Sequence, residues 1–185
     1  FAMDEHNDVL RIATTNEQSV EPFLYNTITT LEEQGPVLVE LGRIDHLAPT
    51  EDIRSVRFRG DVGFVVTFKK TDPLFVLQGI QLQVIDVSDL AKPGLLHKEV
   101  IGTNGSTSEA ATNHLAFTYF KERDLLAVPM TICLDGQGGE YGDLMVFSGL
   151  LVYRVTVDGG FVLLGGVSHD EPETPETVSG KCYNW

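Results

Sequence analysis

Ile53-Arg54-Ser55-Val56-Arg57-Phe58 and Val62-Gly63-Phe64-Val65-Val66-Thr67-Phe68, separated by Arg59-Gly60-Asp61, decide the fold. Both runs are rich in β-branched and aromatic residues. They are joined by a Gly-Asp turn, which is the chemistry of a β-hairpin. Alternation places Ile53 and Ser55 on one face and Arg54, Val56 and Phe58 on the other.

The same pattern continues in both directions. Upstream, Val9 to Thr14 and Val37 to Leu41 read as strands, the second after a Gly-Pro turn, while the polar stretch from Glu21 to Gln34 reads as a loop. Downstream, Ile80 to Val87 alternates apolar and polar residues before the turn cluster Ser88 to Gly94. Leu115 to Phe120 and Leu125 to Met130 form another hairpin around Lys121-Glu122-Arg123-Asp124. Leu144 to Val157 is a long strand or a pair bent near Ser148-Gly149, and Gly159-Gly160 turns it into Phe161 to Val167. Helical periodicity is nearly absent; Thr107 to Leu115 supports a turn or a short helix at most.

Short strands with turns about every ten residues predict an all-β sandwich, barrel or propeller. The recurring unit is a four-strand meander, which selects the propeller. One such blade cannot bury both faces alone, so blades must stack around an axis. The expected architecture is an all-β, partial β-propeller of four-stranded antiparallel blades, with residues 1–185 forming one incomplete propeller domain. Residues 170–180 form an exposed, acidic, Pro-containing loop.

One place interrupts this rhythm. Asp72-Pro73-Leu74-Phe75-Val76 opens like the third strand of a blade, yet Leu77-Gln78-Gly79-Ile80 approaches a different strand. The expectation is a missing segment between Val76 and Leu77, of about 40–50 residues if it is one repeat.

Three stretches together are similar to a known family. They are Phe1 to Thr15; Asp52 to Phe58 with Val65 to Phe68 and Asp72 to Val76; and Ile85-Asp86-Val87-Ser88-Asp89 with Ser108-Glu109-Ala110, His114 to Phe117 and Leu126 to Pro129. They resemble a bacterial and archaeal family of secreted proteins with a C-terminal β-propeller, distantly related to WD-type propellers. The resemblance implies a longer intact protein. It also implies that the Asp72 to Val76 strand normally runs into a further blade before the strand of Ile85 to Val87. It implies no catalytic motif.

Composition narrows the function. The formal net charge is −14, which disfavours nucleic acid and anionic membrane surfaces, since both are bound by Lys and Arg. No apolar run approaches the roughly eighteen residues of a membrane span. The first residues carry no basic or apolar leader, so the expectation is that either none existed or the start has been removed, and the missing initiator Met favours removal. Cys133 and Cys182 match no zinc spacing and no C-x-x-C motif. A structural disulfide between them fits an oxidising, extracytoplasmic compartment and would pin the tail to the body.

Candidate chemistry is sparse. His6, His46, His97, His114 and His169 form no H-E-x-x-H and no close pair, and His114 reads as a loop-orienting residue. Glu109, Asp124 and Asp143 are carboxylates without a defined partner for glycosidase chemistry. Asp135, Glu140 and Asp143 lie in a Gly-rich loop with oxygen ligands suited to Ca²⁺, although the spacing is not that of an EF-hand. Asp86 to Asp89 is a strand-ending Asx turn. There is no nucleophile elbow, P-loop or dinucleotide motif. Tyr183 and Trp185 belong either to a contact surface or to the first strand of a following blade.

The expected function is a non-enzymatic extracytoplasmic scaffold that binds a protein or glycan at the cell surface, with no bound cofactor beyond Ca²⁺. The alternatives are a secreted or periplasmic enzyme, carbohydrate-active or hydrolytic, with its site at the propeller channel, and a structural component of a surface assembly.

Overall fold

A computed structural model describes residues 3–68, 79–103, 105–134 and 144–169. Twelve strands form three four-stranded antiparallel sheets, each a meander of consecutive strands. Blade A contains β1 (Met3–His6), β2 (Val9–Glu17), β3 (Leu24–Gln34) and β4 (Val37–Leu47). Blade B contains β5 (Asp52–Arg59), β6 (Val62–Phe68), β7 (Ile80–Asp86) and β8 (Gly94–Ile101). Blade C contains β9 (Thr118–Phe120), β10 (Leu125–Leu134), β11 (Leu144–Thr156) and β12 (Gly160–Ser168). β1 touches β5 and β8 touches β12. The first strands therefore gather on the side that is inner in a propeller, and the last strands on the outer side.

Blade B is buried on both faces. The side-chain period of two sends Phe64, Val66, Ile80, Leu82 and Val84 into a core shared with Leu126, Val128, Met130, Leu151 and Tyr153 of blade C. The opposite face sends Val56, Phe58, Val65, Ile85 and Val87 into a second core with Ala13, Ile28 and Leu47 of blade A. Among the described residues, blades A and C each pack against blade B. Their remaining surfaces expose Leu38 on β4 and Val162 and Val167 on β12.

Several strands differ from the expectation. Glu21 to Gln34 contains an eleven-residue strand, β3, rather than a loop. Its polar residues Asn26, Thr27 and Thr30 are buried because they hydrogen-bond across the blade. The strand expected from Leu115 is shorter: residues 114–116 form a 3₁₀ turn and β9 begins at Thr118. Of the two expected forms of Leu144 to Val157, the structure has the long strand: β11 runs unbroken through Ser148-Gly149. A bulge between Ile53 and Ser55 breaks the expected alternation, so Ile53 packs with Val56 and Phe58 against blade A.

Other expectations hold. Residues 52–68 form the hairpin β5–β6, with Gly60 at φ 57 in its turn. Asp86 Oδ1 accepts from the Ser88 amide at 2.9 Å, the expected Asx turn. Pro129 lies inside β10, where a proline would normally remove a ladder bond. Its carbonyl accepts from Ser108 Oγ at 2.5 Å on the side that β9 no longer reaches, so its missing N–H leaves no partner stranded.

The expected break at Val76–Leu77 lies outside the described residues. β6 and β7, on either side of it, pair directly from Val62–Asp86 to Thr67–Gln81. Blade B is thus complete as a four-stranded unit. No helix among the described residues is long and apolar enough to cross a membrane.

Candidate functional site: the long-loop end of the blades

A meander places its connections at two ends. Strands one and two, and three and four, join at one end. Strands two and three join at the other, where the chain also passes to the next blade. The first end has tight links at 7–8, 35–36, 60–61, 121–124 and 157–159, and a longer one only at 87–93. The second end carries 18–23, 48–51, 69–79, 102–117 and 135–143. Longer segments on rigid strands are where binding residues concentrate.

Side-chain hydrogen bonds fix three of these connections, 48–51, 102–117 and 18–23. Asn26, fully buried at the start of β3, donates through Nδ2 to the carbonyls of Leu47 (3.0 Å), Ala48 (3.2 Å) and Glu51 (2.9 Å). Its own Oδ1 accepts from Thr15 Oγ1 at 2.7 Å. One amide therefore bonds three carbonyls at the link from blade A to blade B, alongside the backbone bond from Thr50 N to Leu24 O at 2.7 Å. Glu51 is buried too; Thr67 Oγ1 donates to its Oε2 at 2.6 Å and Gln81 Nε2 donates to its Oε1.

The segment before β9 is secured in the same way. Ser106 Oγ accepts from the Cys133 amide at 2.9 Å, and Ser108 Oγ accepts from the Ala110 amide at 3.1 Å. Asn113 Oδ1 caps the next 3₁₀ turn by accepting from Leu115 N at 3.0 Å. In the 18–23 connection, Gln18 N donates to Phe23 O at 2.9 Å and Gln18 Nε2 to Pro22 O at 2.7 Å.

These anchored loops present apolar and aromatic groups to solvent. Leu115 is 70% exposed, Val20 64% and Phe23 53%. Beside them at the same end, the rings of Tyr25 and His46 stack at 4.5 Å between centroids. Asp45 lies next to His46 and accepts from Thr27 Oγ1 at 2.8 Å. That hydrogen bond, with Arg43 beside it, holds the Asp45 carboxyl below the usual value despite partial desolvation. Exposed apolar side chains and the Tyr25–His46 pair thus lie at the same end of the blades, next to hydrogen-bonded connections.

The sequence-derived candidates are dispersed. Glu109 opens a 3₁₀ turn at the long-loop end, whereas Asp124 sits in the tight turn at the opposite end of blade C, accepting from Tyr119 Oη at 3.1 Å. The two carboxylates are not brought together. His6 lies 3.9 Å from Asp61, His97 Nε2 meets the Val157 carbonyl, and His169 donates its amide to Ser148 O. His114 starts the 3₁₀ turn before β9. Among the described residues, no three His, Cys, Asp or Glu side chains gather in a metal-binding group. Asp135, Glu140 and Asp143 lie outside the described residues, as do Cys182, Tyr183 and Trp185. Cys133 is buried at the end of β10, where its carbonyl accepts from Thr103 N at 3.0 Å.

The sequence reading missed Asn26 and Phe23 because it treated their stretch as a loop. The signal was present in Thr27-Ile28-Thr29-Thr30, a β-branched run that favours a strand whatever its polarity.

Comparison with known proteins decides the family. The model of the β-propeller domain matches residues 1–78 and 77–185. The chain belongs to the β-propeller domain family. The two matched segments overlap at residues 77–78. An uncharacterised protein of Archaeoglobus fulgidus is 28% identical over 167 residues, covering 70% of this chain and 25% of that protein. An uncharacterised protein of Methanocaldococcus jannaschii is 41% identical over 78 residues, covering 42% of this chain and 12% of that protein. The chain thus spans a quarter or less of the length of these curated relatives.

Proposed function

We propose that this propeller is a non-enzymatic binding scaffold working outside the cytoplasm, where its long-loop end contacts a protein or glycan at the cell surface. The observation that carries the reading is the pairing of exposed Phe23 and Leu115 with side chains that hold the adjoining chain: buried Asn26 for the neighbouring blade link, and buried Ser108 with surface Asn113 for the 102–117 connection. Exposed apolar side chains on pre-ordered loops bind at lower entropic cost than the same groups on floppy ones. The acidic surface fits a soluble extracytoplasmic protein that avoids nucleic acid. In this reading, Ca²⁺ at Asp135, Glu140 and Asp143 would brace one further loop of the same end.

Site-specific photo-crosslinking on intact cells tests the reading. A crosslinker at Phe23 or Leu115 is expected to give discrete adducts, and one at Val39 on the outer strand of blade A is expected to give none. Equal yields at all three positions, or none at any, would contradict it.

A further inference from the structure

Each blade ends in an outer strand whose far edge has no hydrogen-bonded neighbour among the described residues: β4, β8 and β12. Such an edge presents a row of unpaired N–H and C=O groups, and charged side chains are a common guard against pairing there. Two of the three outer strands carry that guard. β4 holds Glu40, Arg43 and Asp45, and β8 holds Lys98 and Glu99. β12 runs Gly160-Phe161-Val162-Leu163-Leu164-Gly165-Gly166-Val167-Ser168, with no charged residue and no proline. It is apolar and exposed on both faces. Leu163, opposite Tyr153, is 54% exposed, and Val162, opposite Arg154 on the other face, is 49% exposed.

We propose that β12 pairs antiparallel, about a two-fold axis, with β12 of a second copy of this chain, joining two C blades into one eight-stranded sheet. A two-fold contact sets a surface against itself. On a chain of net charge −14, that requires a strip free of acidic groups. β12 meets the condition, whereas β4 and β8, with their Glu and Asp, do not.

The order of residues along β12 fits the same axis. Its first half is bulky, with Phe161, Val162 and Leu163, and its second half contains Gly165 and Gly166. An axis at Leu164 sets Leu163 against Gly165, Val162 against Gly166 and Phe161 against Val167. Large side chains of one copy then cover the glycines of the other. A bulge falls at the same place: Tyr153 pairs with Leu163 and Val152 with Gly165, which leaves Leu164 outside the ladder to β11. A bulge elsewhere would blunt the edge. On the axis it lies between the two stretches that pair, Gly160 to Leu163 and Gly165 to Val167, and interrupts neither. Phe23 and Leu115 take no part, so this assignment and the long-loop reading fail independently.

Sedimentation equilibrium of the 185-residue chain over a concentration series tests the proposal. The expected result is reversible association from the 20.3 kDa chain to twice that mass. Leu163→Lys and Leu164→Lys are each expected to weaken it about tenfold or more. Leu38→Lys, on the outer strand of blade A, is expected to leave it unchanged. Circular dichroism melts of each variant establish that it is folded. Hydrogen exchange in β12 is expected to be that of a free edge in dilute protein and to slow as concentration rises, with no change in β1. A parent chain that stays monomeric at every concentration overturns the proposal and leaves the edge to a strand of another protein. Folded Leu163→Lys and Leu164→Lys that associate like the parent also overturn it. So does loss of association in Leu38→Lys, which would mean that blade faces stack instead, or exchange in β12 that does not depend on concentration.

Discussion

The Nδ2 group of Asn26 lies 2.9 Å from the carbonyl oxygen of Glu51, twenty-five residues away, and both residues are buried. This bond joins the third strand of blade A to the residue that begins blade B. Replacing Asn26 by Ala strands several buried carbonyls, and replacing it by Asp substitutes an acceptor where a donor is required. Both variants are expected to lose about 1–3 kcal/mol in urea unfolding. An Asn26→Ala protein with unchanged stability would show that the blade link is held by something else.

Blades A and B approach closely at Gly42. A Cβ built there meets Leu90 O at 2.5 Å and the Ala91 carbonyl carbon at 2.7 Å, both backbone atoms that cannot step aside. Gly42→Ala is expected to cost about 1–3 kcal/mol by overpacking. Gly94, where a Cβ meets nothing within 4 Å, serves as the matched control, and Gly94→Ala is expected to be near neutral. Thermal melts of the pair check this, and equal melting temperatures would contradict the packing described.

Tyr153 is the alkaline sensor of the B–C core. Burial, with the charge of Glu99 nearby, pushes its phenol up to about 12 from 10.0. A raised folded value means that the phenol's contribution is fully present below pH 10 and is lost as pH rises from 10 towards 12. Tyr119, raised to about 12 by burial and by its hydrogen bond to Asp124, acts in the same direction. Tyr153→Phe is expected to melt like the parent at neutral pH and to lose less stability between pH 10 and pH 12. Identical alkaline profiles would remove Tyr153 from the account.

Two expectations from the sequence converge on one mass measurement of the protein from its native source. A Cys133–Cys182 disulfide predicts a gain of about 2 Da on reduction. A segment missing between Val76 and Leu77 predicts an intact mass above 20.3 kDa. No gain on reduction would remove the disulfide, and a mass of 20.3 kDa would make 69–79 an ordinary connection between β6 and β7.

The blade architecture was legible where burial is one-sided or complete. Ile53 to Phe68 and Ile80 to Val87 announce themselves because the central blade fills both faces with apolar residues. β3 was not legible, because its burial is achieved through polar residues whose partners lie on other strands. Thr30 Oγ1, for example, reaches the carbonyls of Gly42 at 3.1 Å and Leu90 at 2.5 Å. Sequence periodicity records apolar faces and is blind to hydrogen bonds closed across twelve or sixty residues. The same limit hid the long-loop surface. Phe23 and Leu115 look like ordinary apolar residues until the fold places them at one end of their blades.

Hydrogen exchange read by mass spectrometry tests the central claim, that this chain is a stack of blades with B enclosed between A and C. The account predicts the slowest exchange in β6 and β7, whose strands are hydrogen-bonded on both edges and covered on both faces. Faster exchange is expected in β1 and β12, which end their sheets. Exchange in β7 as fast as in β1 and β12 would contradict the stacked-blade arrangement and with it the scaffold on which every functional assignment rests.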